Sequence, residues 1–415
     1  MVANVRLYPR TALVLLTALN LLNYIDRSVL FAVQPLVQAE FHLTNAQVAY
    51  LTSAFLLFYM VAAPFTGPLA DRYSRKLIIA IGAFFWSGLT LLTAVTHSYQ
   101  ALLVRHTLVG IGEASFVTIA PTFVADLFPE EKRGRILGVF YLAIPVGTAL
   151  GYVLGGNLGT RFGWRFPFYI AAFPGFLLAL MMLFIPEPPR GQFDSVKETA
   201  ERGTIRGLTR NPAFWTTTLG MAMMTFALGG IQVWMPTFLS TMRGYSLKAA
   251  NQLFGGIIVL DGTLASLAGG WLGDRFLRDT KGSYYMVSAI SMALGVPVMI
   301  IALFAKGPAM VPGILVAAFL LLLNTAPLNA ALINSVGAHI RSTAIAVNIF
   351  IIHLLGDVPS PAVMGWIADR RSLQVAFICP VVAMAVSSAI LFYGMRFAPE
   401  VRVRKSPGAV GAEAG

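Results

Sequence analysis

Apolar residues in this chain come in long blocks. They show neither the strict alternation of half-buried strands nor the narrow apolar stripe of a water-soluble helix. About 20 mostly apolar residues suffice for a helix to cross a bilayer. Twelve stretches qualify: 11–33, 46–70, 77–95, 100–125, 135–158, 165–185, 212–240, 249–272, 284–304, 309–335, 341–363 and 373–395. They predict an all-α membrane protein of twelve transmembrane helices. The first block is too long for a cleaved signal peptide, carries Asp26 and Arg27, and has no small-residue cleavage site after it. The longest polar interruption, Pro186 to Pro212, separates six blocks from six. The expected organisation is an N-terminal six-helix half over 1–190, a cytoplasmic linker over 191–211, a C-terminal half over 212–398 and a disordered tail over 399–415. Within the linker, 193–202 can lie as a short helix on the membrane surface, although a plain connector is the simpler account.

Composition agrees. Of 415 residues 57% are apolar and 12% charged, and the mean hydropathy is +0.73. Soluble proteins carry about 25% charged residues, so too little polar surface is left here to cover a soluble enzyme, a nucleic-acid-binding domain or a disordered scaffold. The net charge of +12 is a matter of topology. With the N-terminus in the cytoplasm, cytoplasmic segments hold 21 Lys and Arg and the opposite side seven. That bias predicts a multi-pass protein of the plasma (inner) membrane with both termini cytoplasmic, and it removes any case for a nucleic-acid partner. The single cysteine, Cys379, lies in an apolar run, so neither a disulfide nor a cysteine metal site is expected.

Two polar loops repeat. Gly67-Pro-Leu-Ala-Asp71-Arg72-Tyr-Ser-Arg75-Lys76 follows the second block, and Gly270-Trp-Leu-Gly-Asp274-Arg275-Phe-Leu-Arg278-Asp279 follows the eighth, at a constant offset of 203 residues. Weaker echoes follow the fifth block (Gly156-Asn-Leu-Gly-Thr-Arg161) and the eleventh (Gly365-Trp-Ile-Ala-Asp369-Arg370). Six-helix repeats of this kind build transporters whose substrate sits between rocking halves. Glycine permits close helix approach, aspartate can accept bonds from a helix N-terminus, and the arginines can grip carboxylates across the seam between halves. Gly67, Asp71, Arg72, Arg75, Gly270, Asp274, Arg275 and Arg278 are therefore expected to gate.

The Gly-x3-Asp-Arg-x2-Arg loop resembles the signature of the major facilitator superfamily. Arg105-x4-Gly110-x-Gly112, Asp126-Leu-Phe-Pro-Glu-Glu-Lys-Arg133-Gly134 and Pro145-x-Gly147-x3-Gly151-x3-Gly155-Gly156 agree with it. Asp126 and Arg133 thereby join the gating set. Within the superfamily the chain is similar to the Spinster family, through Asn23-Tyr-Ile-Asp-Arg27, Met60-Val-Ala-Ala-Pro64, Gly110-Ile-Gly-Glu-Ala-Ser115, Ile119-Ala-Pro-Thr122, Val139-Phe-Tyr-Leu-Ala-Ile-Pro145 and His353-Leu-Leu-Gly-Asp357-x2-Ser-Pro361. Its compact loops and short termini resemble a bacterial member. The resemblance implies two pseudo-symmetric six-helix halves of major facilitator fold, transport by alternating access, and no enzymatic activity. It further implies lysophospholipids or sphingosine-1-phosphate-type lipids as cargo.

Ionisable groups at membrane depth are costly and face partners or cavities. The set is Asp26, Arg27, Arg105, Glu113, Asp261, His353 and Asp357. Asn20, Asn23, Tyr24 and Arg27 share one helical stripe, with Asp26 on its flank, and are expected to line a cavity between the halves. Arg105 and Glu113 lie about two turns apart and must seek partners on other helices. We expect Asp26, Arg27 and Glu113 to form one network, with Arg27 anchoring an anion and a carboxylate carrying a proton. A permanent salt bridge locking the two helices is the competing account. His353 and Asp357 can touch at i, i+4, either as a titrating pair or as a satisfied buried histidine, and no further ligand completes a metal site. Asp261 has no polar counterpart at Phe58 and is assigned only to cavity lining.

For cargo, one anion anchor among apolar walls suits a lipid with a small charged head. Arg105, Phe116, Phe140, Tyr152, Trp234, Asn324, His353 and Asp357 complete the expected binding set. A small organic anion or a drug-like compound is the alternative substrate. The partners expected are the bilayer and that amphiphile, the chain acting as a monomer. The energy source is a proton gradient and no cofactor is called for. Paired catalytic carboxylates, a nucleophile elbow and a phosphate-binding loop are all missing from the sequence, as is a soluble signalling domain.

Overall fold

The computed structural model describes residues 2–190, 192, 208–277, 280–305, 307, 309–336 and 341–399. Residues 193–207 of the expected linker, the tail from 400 and Arg278 lie outside the described residues, as do the side chains of Asp71 and Arg133. Twelve helices are long and apolar enough to span a membrane: α1 (Tyr8–Phe41), α2 (Asn45–Ala70), α3 (Arg75–Ala94), α4 (Tyr99–Ala125), α5 (Ile136–Phe162), α6 (Phe166–Phe184), α7 (Pro212–Met242), α8 (Leu247–Phe276), α9 (Ser283–Phe304), α10 (Met310–Asn334), α11 (Ala344–Arg370) and α12 (Leu373–Phe397). They form two six-helix halves, and no strand occurs among the described residues.

The helices overrun the apolar blocks where polar residues extend them beyond hydrocarbon. α1 continues through Gln34, Gln38 and Glu40, and α11 runs on to Arg370. Four are interrupted. α5 breaks at Leu142, α10 at Leu323–Asn324 and α12 at Phe377, and α11 contains a π turn at His353–Asp357 followed by Pro359. Outward faces carry large apolar side chains, such as Phe65 (73% exposed) and Phe184 (78% exposed). A water-soluble surface does not tolerate this density of exposed apolar residues, whereas lipid does.

Why α1 and α5 pair so tightly is written in one glycine ladder. A Cβ at Gly147 would lie 2.5 Å from the Leu21 carbonyl oxygen, and one at Gly151 2.6 Å from Ser28 Cβ. Close backbone approach through small residues is the means by which helices associate in lipid, where the hydrophobic effect offers no drive. This seam fixes the rotation of α1 and so aims its polar stripe.

The halves meet along α5–α8 and α2–α11. Loops after odd-numbered helices form one face, here called the odd-loop face; the opposite one carries the termini. Hydrogen bonds between the halves gather toward the odd-loop face: Asn251 Nδ2 donates to the Ala32 carbonyl (3.0 Å), Gln252 Nε2 to Asn157 Oδ1 (3.2 Å) and Tyr152 Oη to the Gln232 carbonyl (2.7 Å).

Candidate functional site

Arg27 projects from α1 toward α2 and α4. Its Nε donates to Glu113 Oε2 at 2.6 Å, and the Glu113 side chain is 0% exposed against 13% for Arg27. The guanidinium lies over three rings, 5.2 Å from Tyr24, 5.1 Å from Phe55 and 4.5 Å from Tyr59. An aromatic face attracts a desolvated cation by up to about 2 kcal/mol. The cage therefore holds the charge in a dry place that water would otherwise claim.

Phe55 and Tyr59 sit one helical turn apart on α2, so both rings reach the same side. Phe55 also stacks on His106 at 5.2 Å. Tyr59 meets His353 of the other half edge-on at 6.0 Å, and His353 Nδ1 contacts Asp357 Oδ1 at 2.9 Å. One continuous line thus runs Glu113, Arg27, Tyr59, His353, Asp357, crossing from half to half. The π turn places both His353 and Asp357 on this line. Its close packing on α7 is visible at Gly229, where a Cβ would stand 2.6 Å from Asp357 Cβ. Such insertions in a helix occur frequently at functional sites.

Several buried polar atoms with no hydrogen bond lie here, among them Arg27 Nη2, Glu113 Oε1 and both side-chain polar atoms of Asn23, and others are scattered through both halves. Buried polar groups are ordinarily satisfied, so each exception asks for an explanation.

The expected residues divide. Arg27 and Glu113 come together, and Tyr24 joins them. Asn20 is buried on the same stripe but is engaged, donating to the Phe140 carbonyl at 3.0 Å. Asp26 turns instead toward α3, where the Thr90 hydroxyl donates to its Oδ2 at 3.4 Å. It is separated from the Arg27 cage because residues adjacent in a helix point about 100° apart. Arg105 donates to the Leu92 carbonyl (2.6 Å) and Thr96 Oγ1 (2.7 Å), tying off the end of α3 far from the cage. Phe116 and Phe140 are core residues of the N-terminal half, packed around Trp86. Trp234 donates to the Pro361 carbonyl and Asn324 accepts from Ser291, both inside the C-terminal half. Tyr152 stays on the seam through its bond to Gln232. Asp261 is buried with an unpaired Oδ2. Phe55 and Tyr59 were missed by sequence reasoning; their signal was an aromatic pair at i, i+4 in a span with no charge to draw attention.

The gating loops behave unequally. Arg75 binds Asp126 Oδ2 through Nη1, Glu187 Oε1 through Nε (3.3 Å) and the Pro188 carbonyl through Nη2 (3.0 Å). These partners belong to its own half or the segment leaving it, where a grip across the seam was expected. Glu187 also accepts from Ser74 Oγ and from the Arg75 N–H (2.9 Å). Partial burial pushes the Glu187 carboxyl up, but these bonds outweigh it and hold it below the usual glutamate value. Asp274 accepts from Tyr284 Oη at 2.8 Å, and Arg72 and Arg275 are exposed.

Two bundles of six membrane-length helices around a buried charged seam define a membrane transporter of the major facilitator superfamily, whose profile matches residues 16–358. The chain belongs to that superfamily, and within it to the Spinster family. It is 34% identical over 388 residues to Protein spinster homolog 1 of Xenopus laevis, covering 88% of this chain and 74% of that one. It is 34% identical over 393 residues to the sphingosine-1-phosphate transporter SPNS2 of Danio rerio, covering 89% and 77%. In fold it matches a bacterial homologue of the human lysosomal transporter Spinster, in an inward-facing and unoccupied conformation, with a TM-score of 0.85 at 24% identity over 94% of this chain and 98% of that one. A D-xylose–proton symporter superposes with a TM-score of 0.73 at 17% identity over 95% and 98%.

Proposed function

We propose that the chain is a proton-coupled secondary transporter moving an amphiphilic anion, a lysophospholipid or sphingosine-1-phosphate-like lipid, by alternating access. The observation that carries this reading is the Arg27–Glu113 pair in its aromatic cage at the boundary between halves, with Arg27 Nη2 and Glu113 Oε1 unpaired. An anionic head group competes with Glu113 for the guanidinium. As the Arg27 charge turns to the head group, the Glu113 carboxylate loses its compensation and takes a proton from solvent. When the cargo leaves, Arg27 returns and the proton is released. Asp26, buried without a cation, is the second proton site. Tyr59 carries the state of the cage to His353 and Asp357, which close the site from the other half.

A lipid is favoured over a small organic acid because four of the polar side chains expected to bind cargo are spent on the protein itself. Asn20, Arg105, Asn324 and Trp234 are all engaged elsewhere. The name carried by the zebrafish relative points the same way. The seal on the odd-loop face, taken with the basic bias toward the termini, supports an inward-open form with both termini cytoplasmic. Purified protein in liposomes with an imposed pH gradient tests the reading. Lysophospholipids and sphingosine-1-phosphate should acidify or alkalinise the lumen in step with uptake, whereas a panel of organic acids should not. Movement of the acids alone would overturn it.

A further inference from the structure

The eleventh-block echo ends on a contact that the gating loops do not explain. α2 closes with Gly67-Pro-Leu-Ala-Asp71-Arg72 and α11 with Gly365-Trp-Ile-Ala-Asp369-Arg370, sharing Gly, Ala, Asp and Arg in register. The two helices lie antiparallel across the seam between halves. On the odd-loop face, Asp369 Oδ1 accepts the Asn45 N–H at 2.7 Å and Oδ2 the Ala46 N–H at 2.9 Å, so one carboxylate caps the start of α2. Thr44 Oγ1 takes the Gln47 N–H and Gln47 Oε1 takes that of Thr44. The four donors that every helix N-terminus leaves open are all satisfied, two of them by the other half.

Gly365 reports independently that this end is shut. A Cβ there would lie 2.7 Å from the Asn45 carbonyl oxygen, an approach only glycine permits. Its counterpart Gly67, on the termini face, has nothing within 4 Å. The motif's glycine is therefore pressed against the other half at one end of the α2–α11 pair and free of contact at the other.

We infer that Gly365 and Asp369 form a latch that holds the odd-loop face closed, Asp369 capping the α2 N-terminus of the opposite half and Gly365 allowing the backbones to meet. Opening that face breaks both bonds and returns the carboxylate and two N–H groups to water. A negative charge at a helix N-terminus is favourable and depends on salt, so the latch biases the conformational equilibrium without locking it.

The test reads opening directly and uses no cargo, so failure of the coupling scheme leaves it standing. In a Cys379→Ser background, Asn251→Cys places a thiol on the seam where the side chain is fully buried against Ala32 and Gly156, so its alkylation rate by a membrane-impermeant maleimide follows the open fraction. Asp369→Asn should raise that rate about fivefold, and Gly365→Ala should raise it as well. Asn45→Pro removes one donor while proline remains welcome in the first helical turn; it should raise the rate about threefold without endangering the fold. Gly67→Ala should not raise it. Rates within twofold of the parent in all three latch variants would overturn the inference, and so would a rise in Gly67→Ala equal to that in Gly365→Ala.

Discussion

Replacing Glu113 by leucine leaves the Arg27 charge in its cage with no counter-ion. At 2.6 Å and an effective dielectric constant of about 20, two unit charges attract by about 6 kcal/mol. Against this stands the desolvation both groups suffered on burial, with Glu113 fully enclosed. Breaking one partner of such a pair costs about 3–5 kcal/mol, whereas replacing both by apolar groups of similar volume is often neutral. Glu113→Leu should therefore melt well below the parent in detergent. Arg27→Met combined with Glu113→Leu should recover most of the loss, a coupling energy of about 3 kcal/mol in a double-mutant cycle. Transport separates a static brace from a working pair. In liposomes Glu113→Gln should retain exchange of labelled cargo down its own gradient and lose accumulation driven by a pH gradient. A double variant that falls by the sum of the singles would refute the energetic argument. Unchanged pH-driven accumulation in Glu113→Gln would refute the coupling argument even if the energetics held.

The remaining expectations rest on other contacts. Glu187 is held below its ordinary value when folded, so its clamp on Ser74 and Arg75 is fully present above about pH 4.5 and is lost as pH falls through the lower folded value. Thermal midpoints measured from pH 7 to pH 3 should show a loss that Glu187→Gln removes. Gly151→Val inserts a branched side chain where even a Cβ would lie 2.6 Å from Ser28 Cβ and 2.7 Å from the Ile25 carbonyl oxygen; overpacking of this kind costs about 1–3 kcal/mol or more, readable as lost monodispersity on size exclusion. Asp26→Asn removes a buried charge whose Oδ1 is unpaired, so the variant should melt no lower than the parent while proton-driven uptake declines. His353→Phe keeps an aromatic edge against Tyr59 and loses Asp357; half-saturation for the lipid should rise severalfold with the melting midpoint little changed.

The spans and the division into halves were legible because lipid imposes a long, simple apolar period. The Arg27–Glu113 pair was legible because charges at membrane depth are rare enough that two of opposite sign invite each other. What was not legible was rotation. Asp26 sits beside Arg27 in sequence, yet one residue of helix turn sends it toward Thr90, and only the α1–α5 glycine ladder fixes which of the two faces the seam. Arg105 and Trp234 mislead for a related reason. A polar group in an apolar span can be satisfied by a neighbouring backbone carbonyl as readily as by cargo, and hydropathy does not distinguish these. Tyr59 carried no charge, and its pairing with Phe55 at i, i+4 does not stand out in an apolar span, although it is the ring on which the line between halves depends.

Charge in this protein is distributed unevenly, and that bears on how it moves. Arg27 and Glu113 belong to the N-terminal half and compensate each other without the other half, and Asp26, in the same half, turns to the Thr90 hydroxyl. The C-terminal half offers His353 and Asp357, whose side chains contact each other at 2.9 Å. Among the described residues no ion pair spans the seam, so none need break when the halves separate; its aromatic and polar contacts include two aromatic edges, a few neutral hydrogen bonds and the exposed Asp369 cap. Neutral bonds of this kind are each worth about 1 kcal/mol net, and the exposed cap no more than about 1 kcal/mol. A seam so built leaves the two conformations within a few kcal/mol of each other. Differential binding of one anion and one proton can shift a gap of that size, provided each is held more tightly in one conformation than in the other. A seam of buried inter-half ion pairs would have fixed one state too firmly for either ligand to tip.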